Sequence, residues 1–356
     1  MKQSNFNQCC CNNRLWSLFI LFFLCIFPVV SQADEDSLKY YVTPEFPESQ
    51  VEGSGNYFDL NLSPSETETL TLKLQNGSSE PVRLQVTPHT AYTNVHGVAE
   101  YGKDATEPDN TLLYSLDELI EPIEVVELAG NETKIISLSL HMPEQSFEGF
   151  LAGGLRISEV KEEQEETTSS EEGVAIKNEF AYVIGVVVSN SRDSVQPDLE
   201  LLDVFADQLN YRNVISATIQ NFTPTFVNGL AVEATVQRVG EEEILYEASE
   251  ERMQMAPNSH FHFPISLDGD RFQSGEYLVN VKATSGEEEW SWTKEFTIKS
   301  DEARSLNRED VTIENQLNWW MIGSITLFIL LMIILTVLVI QKKSNKNAKY
   351  KEVMRR

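Results

Sequence analysis

Residues 88–102, PHTAYTNVHGVAEYG, bring together two tyrosines and an asparagine, and this composition suits the binding of a carbohydrate. The candidate contact residues are Tyr92, Asn94 and Tyr101. An aromatic ring offers a flat apolar surface to a sugar, and an amide supplies a hydrogen-bond donor and an acceptor beside it. The alternative is a loop whose tyrosines cover the edge of a β-sandwich, and this arrangement is the more common one.

Two histidines could bind a metal ion. His260 and His262 lie two residues apart in HFH, so on a β-strand both face the same side, as paired ligands do. No cysteine or third histidine is nearby in the sequence, and Asp268 and Asp270 lack the full spacing of a calcium-binding loop. We therefore predict no metal site and no cofactor.

Two tryptophans in EWSWT could form a ligand platform. Trp292, however, shares strand parity with Phe296 and Ile298, and this parity favours packing in a core.

The motifs of common enzyme classes are missing from the sequence. There is no Gly-x-Ser-x-Gly, no His-Glu-x-x-His and no glycine-rich phosphate-binding loop. Carboxylates are abundant, so spacing alone does not exclude a catalytic pair. We predict a protein that is not an enzyme.

The chain is strongly acidic. It has 27 basic and 55 acidic residues among 356, for a formal net charge of -28. Nucleic-acid binding requires a basic surface, so this class of function is excluded. Cationic partners are favoured instead.

The N-terminus has the pattern of a secretory signal peptide over residues 1–33. Lys2 and Arg14 precede an apolar run, and small residues follow it, so cleavage is expected between Ala33 and Asp34. The exported chain would then contain no disulfide, because all four cysteines lie in the removed segment. These are Cys9, Cys10, Cys11 and Cys25.

An uncharged apolar segment spans residues 319–340 near the C-terminus. As a helix it would reach roughly 33 Å at about 1.5 Å per residue, enough to cross a hydrocarbon core of about 30 Å. The rings expected at one membrane interface are those of Trp319 and Trp320. The alternative is a buried core helix that is apolar on every face.

Basic residues follow this segment in the tail 341–356 and predict that the tail is cytoplasmic. The charges nearest the membrane are Lys342, Lys343 and Lys346. The expected location is therefore the cell membrane, in a single-pass type I topology with the ectodomain facing the cell wall and the exterior.

Alternation of apolar and polar residues predicts β-strands along the ectodomain, as for Leu70, Leu72 and Leu74. The predicted fold is all-β, with two tandem immunoglobulin-like β-sandwich domains followed by one C-terminal transmembrane helix. The domains are placed at 34–192 and 193–300, and residues 301–318 are predicted to be a juxtamembrane linker.

Two short motifs occur once in each half and suggest that the two halves share one topology. A strand ends in Gln75-Asn76 or Gln220-Asn221, and Ala-x-Asn follows later, at residues 129–131 and 256–258. The acidic residues 159–173 are interpreted as the loop of a hairpin within the first domain; the alternative is an interdomain linker.

Several separated segments resemble the WxL-interacting proteins of Gram-positive bacteria. YFDLNLSPSETETLTLKLQNGSSEPVRLQVTPHTAYTNVHGVAEY and MPEQSFEGFLAGGLRI resemble the first domain of that family. Four later segments resemble the second domain of the family: NEFAYVIGVVV, NYRNVISATIQNFTP, MQMAPNSHFHFPI and GEYLVNVKATSGEEEWSWTKEFTI. The resemblance implies that the first domain binds peptidoglycan and that the second binds host extracellular ligands and secreted WxL-domain proteins.

The resemblance therefore implies a non-catalytic scaffold tethered to membrane lipid by one helix. Because the ectodomain and the wall polymers are both anionic, wall binding would have to rest on hydrogen bonds and sugar–aromatic contacts, or on a cationic partner. The alternative function is a single-span extracellular ligand sensor. The tail 341–356 is too short to form a signalling domain, which favours the scaffold.

Overall fold

The computed structural model describes residues 39–105, 107–160, 180–313 and 323–337. Most of the regular structure in these ranges is β-strand, in two groups of sheets that each enclose a separate hydrophobic core. The all-β prediction is thereby confirmed. We call strands β1 to β10 the first unit and strands β11 to β17 the second unit. The domain boundaries predicted from the sequence stay predictions.

The first unit contains a three-stranded sheet in the order β1-β3-β8 and a five-stranded sheet in the order β2-β10-β9-β4-β7. A small hairpin, β5-β6, lies beside them. The strands are β1 Tyr40–Glu45, β2 Phe58–Asn61, β3 Thr67–Asn76, β4 Val82–Thr90, β5 Tyr92–Thr93, β6 Ala99–Glu100, β7 Ile123–Leu128, β8 Thr133–His141, β9 Leu151–Glu159 and β10 Ala181–Ser189.

The core of the first unit follows the alternation in the sequence. Leu70, Leu72 and Leu74 of β3 are fully buried, while the residues between them point outward. The core faces of β4 and β9 complete the cluster from the other sheet. The short helix α1, Leu116–Leu119, buries both of its leucines in the same core.

Strands β9 and β10 pair antiparallel, from Ala181 opposite Ser158 to Val188 opposite Leu151. The hairpin predicted around the acidic segment is thereby confirmed, and β10 belongs to the first unit. β10 also pairs with β2, in parallel, so it has a neighbour on each side.

The second unit contains a three-stranded sheet in the order β11-β12-β15 and a four-stranded sheet in the order β14-β13-β16-β17. The inward faces of both sheets form its core, which includes Phe261, Phe263 and Val279. The strands are β11 Leu199–Leu209, β12 Arg212–Asn221, β13 Val227–Arg238, β14 Ile244–Met255, β15 Ser259–Ser266, β16 Gly275–Ser285 and β17 Glu288–Ile298.

The buried Asn76 of the first unit braces a turn at the end of β3. Its Nδ2 donates to the carbonyl oxygens of Glu80 at 2.7 Å and of Ala129 at 3.0 Å. Its Oδ1 accepts from the backbone N–H and the hydroxyl of Ser78, both at 2.9 Å. One amide side chain thus satisfies four groups and ties two connections together.

Asn221 makes the same set of hydrogen bonds in the second unit. Its Nδ2 donates to the carbonyl oxygens of Thr225 at 2.7 Å and of Ala256 at 2.8 Å. Its Oδ1 accepts from the backbone N–H of Thr223 at 3.2 Å and from its hydroxyl at 2.7 Å. In each unit, therefore, the asparagine of the Gln-Asn motif donates to the alanine carbonyl of the Ala-x-Asn motif, and the two motifs form one brace.

The segment after β17 is helical where we predicted a linker. Helix α2, Ser300–Glu309, buries Ala303 against the second unit, and the carbonyl oxygen of Leu306 accepts from Nε2 of Gln208 at 2.7 Å. After it, the backbone N–H of Asn213 donates to Asp310 at 2.7 Å. The sequence shows little of the apolar periodicity that predicts a helix here, because few apolar residues of this helix face the core.

Residues 323–337 form a helix, α3, whose side chains are exposed. No helix within the described ranges is both long enough and apolar enough to span a membrane. The two ends of the predicted segment 319–340 lie outside the described residues.

Candidate functional site

The structure brings Tyr92 and Asn94 together through a shared carboxylate. The Tyr92 hydroxyl donates to Oε2 of Glu100 at 2.9 Å, and Nδ2 of Asn94 approaches the same oxygen at 3.3 Å. Burial and the Glu100 carboxylate raise the pKa of the Tyr92 hydroxyl. Burial also acts to raise the pKa of Glu100, but the hydrogen bonds from Tyr92 and Asn94, together with the nearby Lys103 ammonium group, outweigh it and lower that pKa.

Tyr101 lies elsewhere, on the outer face of the five-stranded sheet. A Cβ atom on Gly154 would lie 2.7 Å from Cδ2 of the Tyr101 ring, so the ring rests where the sheet has no side chain. Gly154 faces Gly185 across the β9–β10 pair, and a Cβ atom on Gly185 would lie 3.2 Å from Cβ of Tyr57. The two glycines therefore make room for two neighbouring tyrosines.

We call Tyr57, Tyr101 and Val183 the tyrosine surface. Their exposed fractions are 37%, 39% and 38%, so each presents apolar area to solvent while part of it packs on the sheet. The position of Tyr57 was missed from the sequence. The signal that could have found it is glycine in the middle of two adjacent strands, which marks a close approach by another group.

The two units meet at a buried carboxylate, Asp109, whose side chain is 2% exposed. Oδ2 of Asp109 lies 2.8 Å from Nδ1 of His260 in β15. Nε2 of Gln220 in β12 donates to both carboxylate oxygens, at 2.9 and 3.0 Å. The hydroxyl and backbone N–H of Thr111 donate from the first unit itself, at 2.6 and 2.9 Å.

The pKa values of this pair follow from these contacts. Burial acts to raise the pKa of Asp109, but the hydrogen bonds from His260, Thr111 and Gln220 outweigh it and lower that pKa to about 2. The hydrogen bond with Asp109 raises the pKa of His260, against the opposing effect of burial. The carboxylate is therefore ionised throughout the physiological range and favours a protonated imidazole beside it.

Other hydrogen bonds at the junction accompany this pair. The hydroxyls of Thr93 and Ser259 lie 2.6 Å apart, and the backbone N–H of Ala256 donates to the Thr93 hydroxyl at 3.0 Å. Nδ2 of Asn258 donates to Oγ1 of Thr111 at 3.1 Å. Hydrogen bonds from side chains and from the backbone both cross the junction, so the two units are docked against each other.

A cavity of about 550 Å³ opens beside these contacts. Residues from both units line it, among them Tyr92, Asn94, Asp104, Asp109, Asp117, His260 and His262. Tyr92 and Asn94 thus face the junction, whereas Tyr101 belongs to the tyrosine surface. The three residues that the sequence grouped as one glycan site divide between two places.

The histidine pair takes part in packing. His262 Nδ1 lies 2.9 Å from the hydroxyl of Thr218, and the His262 ring meets the Phe205 ring edge to face at 5.4 Å. Among the side chains that the structure describes, no group of three or more His, Cys, Asp or Glu converges as metal ligands would.

Trp290 and Trp292 pack against the core of the second unit as partly buried side chains. The indole N–H of Trp290 also donates to Oδ1 of Asp198 at 2.9 Å. The preference for core packing of Trp292 is confirmed.

The remaining site predictions lie outside the described residues and stay predictions. They concern cleavage between Ala33 and Asp34, the interface residues Trp319 and Trp320, and the topology charges Lys342, Lys343 and Lys346.

The fold and the junction define a class of architecture: two β-sheet units, each with its own core, docked through a polar interface. Two family models match the chain, the WxL Interacting Protein, peptidoglycan binding domain, over residues 40–159 and the WxL Interacting Protein, host binding domain, over residues 171–308. The chain belongs to the WxL-interacting protein family. Both matched domains are binding domains, so the chain has a binding role.

Solved structures give weaker likenesses. They include the YadV chaperone, with 12% identity over 73% of this chain and 100% of that chain at a TM-score of 0.28. The Escherichia coli chaperone DraB is 11% identical over 73% of this chain and 95% of that chain, at a TM-score of 0.26. No functional conclusion follows at this level of similarity. No curated protein matches the chain.

Proposed function

We propose that the chain is a non-catalytic cell-surface scaffold anchored in the membrane. Its first unit binds peptidoglycan, and its second unit binds WxL-domain proteins, host extracellular ligands or both. The support comes from the two family matches, each of which names a binding activity for one unit.

The tyrosine surface is the observation that carries the peptidoglycan part of the proposal. Tyr57 and Tyr101 lie side by side over paired glycines, partly exposed, on a sheet of the first unit, and both fall within the matched peptidoglycan-binding range. A flat aromatic surface held rigidly by a sheet suits the apolar face of a sugar ring, and it needs no positive charge. Through such a surface, an acidic chain can bind an anionic wall polymer without charge attraction.

The proposal of a membrane anchor rests on the sequence. Residues 319–340 are uncharged and apolar, Trp319 and Trp320 stand at one end, and Lys342 and Lys343 follow the other. With the basic tail inside, the two units lie between the membrane and the cell wall, in the single-pass type I topology.

Sedimentation with purified cell-wall sacculi tests the tyrosine surface. Substituting both Tyr57 and Tyr101 by alanine is expected to lower the retained fraction about tenfold, because each lost ring contact contributes about 0.5–1.5 kcal/mol. The matched control is Tyr41→Ala, since Tyr41 is 55% exposed on β1 of the other sheet. Equal retention of the double variant, the control and the unaltered chain would rule out this surface.

A further inference from the structure

The turn between β11 and β12 presents a bulky ring at one end of the second unit. Asn210 and Tyr211 have φ angles of +52° and +57°, so the two residues form a tight hairpin turn in the left-handed region. Asparagine and glycine suit this region, whereas a tyrosine there is uncommon and strained. Tyr211 is also 70% exposed, so packing within the unit does not account for a ring at this position.

Val311 adds a second exposed apolar side chain at the same place. Its backbone N–H donates to the carbonyl oxygen of Tyr211 at 3.0 Å, and Val311 is 69% exposed. Among the large apolar residues that the structure describes, only Leu113 is more exposed than these two. We call Tyr211, Val311 and the adjacent Arg212 the hairpin tip. Neighbouring apolar side chains that are this exposed are typical of a surface that another molecule or a membrane covers.

The hairpin tip is held in place by the buried carboxylate of Asp310. Oδ2 of Asp310 accepts from the backbone N–H of Asn213 at 2.7 Å, and Oδ1 accepts from the backbone N–H of Thr312 at 2.7 Å. Asp310 is 5% exposed and Ile313 is 8% exposed. The chain is thus still docked on the second unit at Ile313, and the hairpin tip lies where the chain leaves that unit.

The proposed membrane anchor begins a short distance after this point. Five residues, 314–318, separate Ile313 from Trp319. A fully extended chain covers at most about 3.6 Å per residue, so the steps from Ile313 to Trp319 span at most about 22 Å. The headgroup layer outside the hydrocarbon core is itself about 5–8 Å thick. The anchor therefore confines the hairpin tip close to lipid, where a high effective concentration populates even a weak contact.

We propose that the hairpin tip rests on the lipid surface, with Tyr211 and Val311 in the headgroup layer. This inference rests on the proposed membrane anchor and goes beyond it, because it defines how the second unit stands on the membrane. A tyrosine suits this layer, since its ring is apolar and its hydroxyl can hydrogen bond to water or to headgroups. Arg212 is exposed beside Tyr211, and its guanidinium group can pair with a lipid phosphate.

Acidic residues confine the contact to this corner of the unit. The connection from β15 to β16 carries two aspartates in residues 268–270, and the loop after β13 carries three glutamates at residues 241–243, all exposed. That connection approaches Thr312 through Gly269 and is hydrogen bonded to Arg238 at the end of β13, so both loops lie at the end that bears the hairpin tip. Lipid phosphates repel these carboxylates, so we expect the unit to lean on the hairpin tip and to keep the acidic loops away from lipid.

Quenching of a fluorophore by spin-labelled lipid tests the contact in the full chain, reconstituted into vesicles of phosphatidylcholine and phosphatidylglycerol. The exported chain is expected to contain no cysteine, so one introduced cysteine carries the fluorophore. The reporter is Glu309→Cys in the last turn of α2, and its control is Glu287→Cys in the turn between β16 and β17. Strand β16 separates the two ends of the unit by roughly 33 Å, at about 3.3 Å per residue. A headgroup spin label is expected to quench the fluorophore strongly at 309 and not at 287.

Two variants separate lipid contact from the effect of the tether. Tyr211→Asn replaces the ring by a residue that the turn favours, so the fold is retained, and Val311→Ser removes the second apolar side chain. Each is expected to lower the quenching at 309 about twofold, and the two together about fivefold. The matched control is Ile135→Ser, which removes a 59% exposed apolar side chain from β8 of the first unit. Undiminished quenching in the double variant, or an equal reduction in the Ile135 variant, overturns the proposal.

Flotation of the same vesicles separates failure of this inference from failure of the proposed anchor. If the chain floats with the vesicles but the reporter at 309 is not quenched, the anchor stands and the lipid contact is overturned. If the chain does not float with the vesicles, the anchor fails and the lipid contact fails with it. Energy transfer between two labelled copies, in place of quenching by lipid, assigns the hairpin tip to self-association and also overturns the proposal.

Discussion

Oδ2 of Asp109 lies 2.8 Å from Nδ1 of His260, although the two residues are 151 positions apart in the chain. Asp109 belongs to a connection of the first unit and His260 to a strand of the second. Because the carboxylate is almost completely shielded from solvent and also accepts from Gln220, this contact fixes how the two units sit against each other.

Loss of the Asp109 charge is expected to weaken the junction. Asp109→Asn keeps the shape of the side chain but places an amide opposite the imidazole and the Gln220 amide, so at least one hydrogen bond is lost. We expect the free energy of unfolding to fall by about 1–3 kcal/mol. Urea unfolding measures the change, with Asp193→Asn at an exposed position as the control. A difference between the two variants of less than about 0.5 kcal/mol contradicts the prediction.

The junction is expected to be most stable in mildly acidic solution. Because the pKa of Asp109 is lowered on folding, its contribution is present above its ordinary pKa of 3.8 and is lost as the pH falls toward about 2. Because the pKa of His260 is raised, its contribution is complete below the ordinary pKa of 6.5 and is lost as the pH rises through the raised value.

Thermal unfolding at about pH 5.5 and about pH 8.5 measures this second effect. The unaltered chain is expected to lose stability at the higher pH, and His260→Gln to lose less between the same two conditions. An equal loss in both proteins would assign the pH dependence to other groups.

The two asparagine braces are expected to be equally important to their own units. Asn76→Ala or Asn221→Ala leaves two carbonyl oxygens and a backbone N–H without this partner, at a cost of about 1–3 kcal/mol for each of these groups that stays unsatisfied. The control is Asn228→Ala, because Asn228 is exposed and its side chain hydrogen bonds only at the surface. Hydrogen exchange should show faster opening of the first unit in one variant and of the second unit in the other.

Gly149→Ala is expected to disrupt the junction more than its backbone conformation alone explains. Gly229 has a similar φ, +63° against +68°, but a Cβ atom there meets nothing within 4 Å. Gly229→Ala therefore reports the conformational strain of about 1–2 kcal/mol, and Gly149→Ala adds the collision with Pro224. Amide exchange at Phe150, whose N–H bonds to Pro224, should accelerate only in the Gly149 variant.

Protease added to intact cells tests the topology. Both units are expected to be cleaved from outside while the tail 341–356 stays protected. Resistance of the units under conditions that trim neighbouring envelope proteins would reverse the orientation.

The strands and the repeated Gln-Asn motif could be predicted from the sequence because both are local, whereas the brace itself joins residues 53 positions apart in the first unit and 35 in the second. Leu70, Leu72 and Leu74 alternate within one strand, and the Gln-Asn motif ends a strand wherever it occurs. The role of Asp109 could not be predicted, because its partners come from strands more than one hundred positions away. Tyr57 was missed for the same reason, since only the pairing of β9 with β10 places its two glycines side by side.

The parallel pairing of β2 with β10 has a mechanical consequence. β10 is the last strand of the first unit before the chain enters the second. It pairs with β9 from Ala181 to Val188 and with β2 from Val186 to Ser189. Tension between a wall-bound first unit and a membrane anchor would pull β10 along its own axis. All of its backbone hydrogen bonds would then share the load in shear, instead of opening one after another, and the strand would resist extraction during turgor changes.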